Sequence, residues 1–106
     1  MTDSWEDAVP AAPLAAVSLK DDAPEGTVER LKEGLSLIAH TIEEISAYTY
    51  GPDLDLREGT WDFAVVADFE KSEDFRTYAE HPDHVAFIQE RLTPVLKERA
   101  SLQFEL

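Results

Sequence analysis

The sequence predicts a single α+β domain in which helices cover one face of a four-stranded antiparallel sheet. Residues 61–69 and 101–106 alternate between apolar and polar side chains, which indicates strands. Earlier in the chain, residues 28–42 carry an apolar stripe at helical spacing, which indicates a helix. The predicted order is strand, helix, strand, strand, helix, helix, strand, which is typical of helices packed on one side of a sheet.

The length of 106 residues is that of one common domain, and a 43% hydrophobic content is enough for a core. A domain of this size buries only a limited fraction of its surface. Association with a second copy would bury more, so we expect a homodimer.

The net charge of −14 arises from 23 acidic and 9 basic residues. Such a surface repels nucleic-acid phosphates and anionic lipid, so neither is an expected partner; solubility is the plainer role of the charge. The chain has no cysteine, and no apolar run approaches the roughly 20 residues of a membrane span. Since the first basic residue is Lys20, the start lacks the positive region of a secretory signal, and we expect a cytoplasmic location.

Residues 1–12 predict an acidic, flexible N-terminal tail, in which Trp5 could contact the domain or a partner subunit. The folded domain is expected over residues 13–106, with a first strand over residues 13–20. We expect the first helix to start at Asp22 as the cap, with Pro24 in the first turn. Its apolar stripe consists of Val28, Leu31, Leu35, Ile38 and Ile42.

The two middle strands are predicted at residues 45–50, ending in a turn at Gly51 and Pro52, and at residues 61–69. One face of the second of these strands is apolar: Trp61, Phe63, Val65, Ala67 and Phe69. The other face is only half polar, because Ala64 and Val66 lie between two aspartates. We therefore expect a partner subunit to cover the outer face of the sheet.

Two helices and a strand complete the prediction. The first helix spans residues 72–80 with Ser72 as its cap, and the second spans residues 83–99 with a bend at Pro94. The last strand is expected at residues 101–106. Four antiparallel strands with helices returning over one face form a ferredoxin-like arrangement.

The candidate chemistry lies at the junction of these two helices, where Tyr78, His81 and His84 fall close together in sequence. If the chain turns at His81 and Pro82, Tyr78 and His84 can face one apolar pocket. A phenol and an imidazole that converge there could act as general acid and base. The plainer alternative is structural: His81 and Pro82 end one helix and start the next, while Tyr78 and His84 are packed core residues.

Other kinds of site find less support. A metal held by His81 and His84 with a nearby carboxylate is a weaker alternative, since a structural zinc site usually has more nitrogen or sulfur ligands. His40 lies near the C-terminal end of the first helix, where the helix dipole stabilises a positively charged side chain. With no glycine-rich phosphate loop and no nucleophile elbow, no cofactor is expected.

The segment from Trp61 to Phe69, together with the block Tyr78-Ala-Glu-His81-Pro82-Asp-His84-Val, resembles the stress-responsive A/B barrel domain of the dimeric α+β barrel superfamily. The resemblance covers roughly residues 13–106. It implies a ferredoxin-like subunit whose sheet packs face to face with the sheet of a partner to close a barrel.

The functions that the resemblance implies are heterogeneous. Some members are stress or stability proteins, and a plant member is a polyketide cyclase whose acid–base pair corresponds to Tyr78 and His84. Further polar pocket groups of that cyclase are replaced here by Pro13, Leu35 and Phe63, so the pocket should be more apolar and less equipped for that reaction.

Three functions stay open at this point. The first is a cofactor-independent cyclase or lyase of aldol type, acting on a ketide-like substrate through Tyr78 and His84, with His81 beside them. Its apolar walls would be Leu35, Phe63, Val65 and Ile88. The second is a non-catalytic dimeric domain, stress-responsive or small-ligand-binding. The third is cofactor-free oxidation of a quinol-like compound, as in related barrels.

Overall fold

A computed structural model describes residues 11–105, which form an α+β domain. The strands are β1, Ala11–Leu19; β2, Ile45–Pro52; β3, Phe63–Phe69; and β4, Leu96–Glu105. The α-helices are α1, Thr27–Thr41; α2, Ser72–Glu80; and α3, Pro82–Phe87. A π-helical turn, Ile88–Leu92, and a 3₁₀ turn, Thr93–Val95, connect α3 to β4. Residues 1–10 of the predicted tail, with Trp5, lie outside the described residues.

The four strands form one antiparallel sheet in the order β2-β3-β1-β4, which confirms the predicted ferredoxin-like arrangement. Strand β1 occupies a central position, and it begins at Ala11, two residues before the predicted start. Val17 on β1 pairs with Phe63 of β3 on one side and with Arg99 of β4 on the other. Because paired residues point to the same side of a sheet, these three side chains share the inner face.

The core lies between this inner face and the helices. Its buried side chains come from every layer: Val17, Leu31, Leu35, Ile38, Ile42, Phe63, Ala67, Phe69, Tyr78, Phe87 and Leu92. Val65 is partly buried against the same core. The predicted inner face of β3 is therefore confirmed, apart from Trp61.

Helix α1 has the predicted apolar stripe but starts later than predicted. Its first residue is Thr27, because Gly26 takes the left-handed conformation at φ 86° and breaks the path of the backbone. The Thr27 hydroxyl donates a hydrogen bond of 2.6 Å to the Pro24 carbonyl, which closes the turn before the helix. The predicted start with a cap at Asp22 is wrong.

Strand β3 starts two residues after the predicted position. Asp62 precedes the strand, and its Oδ2 accepts a hydrogen bond of 2.7 Å from the backbone N–H of Leu19. Trp61 lies before this contact and is 40% exposed, so its predicted place on the inner face is wrong. At α2, Ser72 is the first helical residue rather than the cap, since the extended backbone of Lys71 occupies the cap position.

The predicted helix over residues 83–99 is wrong in its second half. Pro94 lies in the 3₁₀ turn, and the chain becomes a strand at Leu96, five residues before the predicted start. Apart from Lys97, where the register shifts, β4 pairs with β1 from Leu19 back to Ala11, and this ladder outweighs the helical preference of residues 96–99. Arg99 consequently lies on the inner face of the sheet rather than on a helix.

Candidate functional site

A cavity of about 300 Å³ lies between the inner face of the sheet and the helices. Its walls are mostly apolar, and all four predicted wall residues line it: Leu35, Phe63, Val65 and Ile88. Pro13 lines it as well, so the positions where the resemblance implied missing polar groups are indeed apolar. The polar lining side chains are Tyr78, His84, Arg99, Ser101 and Gln103.

Tyr78 projects from α2 into the core and is only 7% exposed. Its ring packs against Phe69 and Phe75, with ring centroids 5.4 and 6.2 Å away, which holds it at the cavity wall. Its hydroxyl is 2.8 Å from the hydroxyl of Tyr48 on β2. The two phenols therefore form one hydrogen-bonded pair between a helix and the sheet.

Both phenols stay protonated over the physiological range. Burial raises the pKa of Tyr78, and the hydrogen bond with Tyr48 partly opposes that rise. Burial also raises the pKa of Tyr48 strongly, and the neighbouring Tyr78 adds to the effect. When Tyr48 donates to the oxygen of Tyr78, the proton of Tyr78 is left to donate elsewhere. In that arrangement Tyr78 is suited to donate a hydrogen bond.

His84 lies directly beside Tyr78, with ring centroids 4.3 Å apart. Its Nδ1 is 3.2 Å from the carbonyl oxygen of Ala79. Since a carbonyl oxygen only accepts, Nδ1 carries the proton, and in the neutral ring Nε2 keeps its lone pair. His84 lines the cavity between the sheet and the helices.

The pKa of His84 is lowered, chiefly because burial penalises the charged imidazolium. The hydrogen bond to Ala79 opposes this shift, while the positive charges of Arg99 and His81 add to it. At neutral pH the ring is therefore neutral. The structure thus presents an unprotonated Nε2 beside a phenol that is held protonated.

His81, the third predicted catalytic residue, has a different place. It caps α3, where its Nδ1 accepts a hydrogen bond of 3.1 Å from the backbone N–H of Asp83, and Pro82 is the first residue of the helix. It does not line the cavity. The structure therefore brings together Tyr78 and His84 but not His81. The contacts of His81 are those expected if it only separates one helix from the next.

Sequence reasoning missed two features of the site. Tyr48 alternates with Tyr50 on one face of a predicted strand, and that alternation could have placed its phenol on the inner face. Arg99 was missed because residues up to 99 were predicted helical. Ser101 and Gln103 fell within the predicted last strand, but their side of that strand was not recognised as lining a cavity. In the part of the chain that the structure describes, no group of three or more His, Cys, Asp or Glu side chains could hold a metal ion. No helix of residues 11–105 is long and apolar enough to cross a membrane.

The sheet, the helices and the cavity between them define a ferredoxin-like α+β subunit with space for a small molecule. Residues 14–106 match the stress responsive A/B barrel domain, and the chain belongs to this family. No functionally curated protein matches the chain closely enough to count as a relative.

Several solved structures are similar over nearly their whole length. A dimeric ferredoxin-like protein of unknown function from Thermobifida fusca is 33% identical with a TM-score of 0.86, over 100% of this chain and 99% of that one. A family member from Mesorhizobium loti is 17% identical, with a TM-score of 0.76, over 92% of this chain and 97% of that one. A hydroxynitrile lyase from Passiflora edulis is 14% identical, with a TM-score of 0.80, over 93% of this chain and 94% of that one. The latter two likenesses establish the shared fold alone.

Proposed function

We propose that this chain is a cofactor-independent enzyme of the small cyclase or lyase type, which removes a proton α to a carbonyl group of a ketide-like compound. The observation that carries the proposal is the hydrogen bond from His84 Nδ1 to the Ala79 carbonyl. It fixes the tautomer in which Nε2 is the free base, and it does so at an apolar cavity beside a protonated phenol.

In the proposed step, His84 Nε2 takes the proton from the carbon next to the carbonyl. The electron pair of that C–H bond moves to the carbonyl oxygen and forms an enolate. The hydroxyl of Tyr78 donates a hydrogen bond to the enolate oxygen, where the negative charge develops. The enolate carbon can then attack a second carbonyl of the same chain, and the imidazolium returns its proton to the new alkoxide. The sequence of steps neither consumes nor releases electrons and requires no cofactor.

Tyr48 has the part of a positioning residue in this scheme. Its hydroxyl lies 2.8 Å from that of Tyr78. In the proposed scheme Tyr48 donates to the oxygen of Tyr78, which leaves the proton of Tyr78 for the substrate. The same hydrogen bond stabilises developing charge on the oxygen of Tyr78. A donor that is itself held by a second donor is more strongly polarised, which suits the stabilisation of an enolate.

The walls of the cavity suit a substrate with a hydrocarbon chain. Leu35 is buried and Val65 is partly buried at the cavity, and Ile88 lies on the opposite wall from the sheet. The Passiflora hydroxynitrile lyase has the same fold, so the architecture is compatible with lyase chemistry. The apolar Pro13 and Phe63 leave fewer polar contacts than a polyketide cyclase would need, so we expect a simpler substrate.

We further propose that two copies form a homodimer through the outer face of the sheet. That face exposes large apolar side chains: Val66 is 36%, Phe104 49% and Leu102 58% exposed. Leu14, Ala16 and Ala64 continue the surface between them as partly exposed residues. A contiguous apolar face of this kind is typical of an interface. The similar protein from Thermobifida fusca is described as dimeric, which supports the same assembly here.

A second function has its own support. The hydroxyl of Tyr78 already has a partner in Tyr48, and His84 is tied to Ala79, as expected for side chains that stabilise a fold. In this alternative the domain is a dimer that binds a small apolar ligand, or that acts as a stress-responsive structural protein, without catalysis.

The decisive experiment measures exchange of the α-protons of 2-octanone into heavy water, because proton removal can be observed without knowledge of the natural substrate. We expect the protein to accelerate exchange, and His84→Gln and Tyr78→Phe each to reduce the acceleration by about a hundredfold. His40→Gln and Tyr50→Phe are matched controls outside the cavity and should exchange at the native rate. Equal rates with and without folded protein would favour the non-catalytic alternative.

A further inference from the structure

Strand β4 lines one side of the otherwise apolar cavity with a row of exposed polar side chains. Arg99 pairs with Val17, Ser101 with Ala15, and Gln103 with Pro13, so the three residues alternate along the inner face of an edge strand. All three line the cavity. We call Arg99, Ser101 and Gln103 the polar row. A hydrophobic pocket with a few convergent polar groups along one side is the usual form of a site for an amphipathic ligand.

Arg99 gives this row a positive charge. Of the 9 basic residues in the chain it alone lines the cavity. Arg91, for comparison, is paired with Glu33 at 3.0 Å and donates to the carbonyl of Arg30 at 2.8 Å. Within the described part of the chain, no carboxylate or other acceptor contacts the guanidinium of Arg99.

The guanidinium lines the same cavity as the acid–base pair. Its charge acts on the imidazole of His84, which lines the same cavity. A ligand group bound by Arg99 would therefore lie near the proposed reaction centre, with the rest of the ligand among the apolar walls.

We propose that the ligand of this cavity is an apolar-chain carboxylate, whose anionic head is bound by Arg99 with Ser101 and Gln103 as further donors. This inference rests on the proposed function in so far as it takes the cavity to be the ligand site, and it narrows the substrate class from neutral ketides to keto acids. A guanidinium offers paired N–H donors that match the two oxygens of a carboxylate, and the hydroxyl and the amide can add neutral donors.

The overall charge of the protein opposes the binding of anions. With a net charge of −14 the surface as a whole repels anions, so an anionic ligand gains nothing from non-specific attraction. Binding of a carboxylate in preference to the matching alcohol must then come from a local positive group. Arg99 is that group in the cavity.

The test compares sodium octanoate with 1-octanol, two probes with the same hydrocarbon chain, by NMR titration of the full chain. We expect octanoate to bind about tenfold more tightly than octanol, as for one charge-assisted contact at a partly exposed site. Arg99→Gln should abolish that preference and leave octanol affinity unchanged. Lys97→Gln is the matched control, because it removes the same charge from an exposed residue of β4 outside the cavity.

The remaining outcomes separate the two proposals. If both probes bind equally and Arg99→Gln changes neither affinity, the cavity is a ligand site but the carboxylate inference is overturned. If Lys97→Gln abolishes the preference as fully as Arg99→Gln, the effect is one of net charge and the inference is equally overturned. If neither probe perturbs residues around the cavity in the folded native chain, both the inference and the ligand site are overturned. Thermal unfolding of each variant verifies that the fold is retained.

Discussion

Gly34 offers a direct test of the packing that shapes the cavity. It lies on α1 where this helix crosses α3, and a Cβ atom added there would be 2.6 Å from Cδ1 and 2.9 Å from Cε1 of Phe87. It would also be 2.8 Å from Cδ of Arg91. Distances below 3.0 Å force something to move, and Phe87, only 8% exposed, has little room. Gly34→Ala should therefore push Phe87 toward the cavity that it lines.

The size of the effect follows from two opposing terms. Overpacking of a core by one methyl group costs about 1–3 kcal/mol. Replacing glycine by alanine inside a helix gains about 0.5–1 kcal/mol from backbone entropy and helix propensity. The expected net destabilisation is about 1 kcal/mol, which lowers Tm by about 4–8 °C for a domain of this size. The displaced ring should also weaken octanoate binding.

Thermal unfolding, monitored by circular dichroism, measures the change in Tm. Gly51→Ala provides the control. An added Cβ at Gly51 meets nothing within 4 Å, and its backbone is not in the left-handed region, so this variant should match the native Tm or exceed it slightly. If Gly34→Ala is as stable as Gly51→Ala, the close approach of α1 to α3 described here is wrong.

Three further predictions concern the site and the assembly. Tyr48→Phe should slow proton exchange from 2-octanone by about tenfold while octanol affinity stays native, because only the support of the Tyr78 hydroxyl is lost; unchanged exchange would remove Tyr48 from the scheme. Since the pKa of His84 is lower in the folded chain than in the unfolded one, the unfolded chain binds the extra proton first as pH falls. Stability should therefore decline from about pH 6.5 downward until the folded His84 protonates, and urea titrations should show a smaller decline in His84→Gln. An equal loss of stability in the native chain and in His84→Gln would contradict the lowered pKa of His84. Phe104→Glu should yield monomers in analytical ultracentrifugation, while Leu56→Glu, in an exposed loop, should leave the dimer intact; a dimeric Phe104→Glu would place the interface elsewhere.

The periodic elements of the fold could be predicted because their side-chain patterns are set by burial on one face. The stripe from Val28 to Ile42 and the alternation from Phe63 to Phe69 each match a single period, so their type and inner face followed directly. The boundaries depend on contacts distant in sequence. Strand β3 begins after Asp62, whose carboxylate accepts a hydrogen bond from the backbone of Leu19, 43 residues away, and no local pattern reveals that contact.

The site was predictable in part for the same reason. The short segment from Tyr78 to His84 determines the turn that brings the two rings together, so local sequence was sufficient to predict their proximity. Arg99 was not predictable, because residues 96–99 have helical preferences and become a strand only through pairing with β1. The pairing of β4 with β1 makes residues 96–99 a strand, and it thereby places the positive charge of Arg99 at the cavity.

The protonation state of His84 tests the central claim most directly. Proton–nitrogen correlation NMR of the imidazole at neutral pH should show hydrogen on Nδ1 and a free lone pair on Nε2, and the Nε2 resonance should shift when octanoate is added. A ring protonated on Nε2, or an Nε2 signal indifferent to the probe, would contradict an account in which this nitrogen is the base at the ligand cavity.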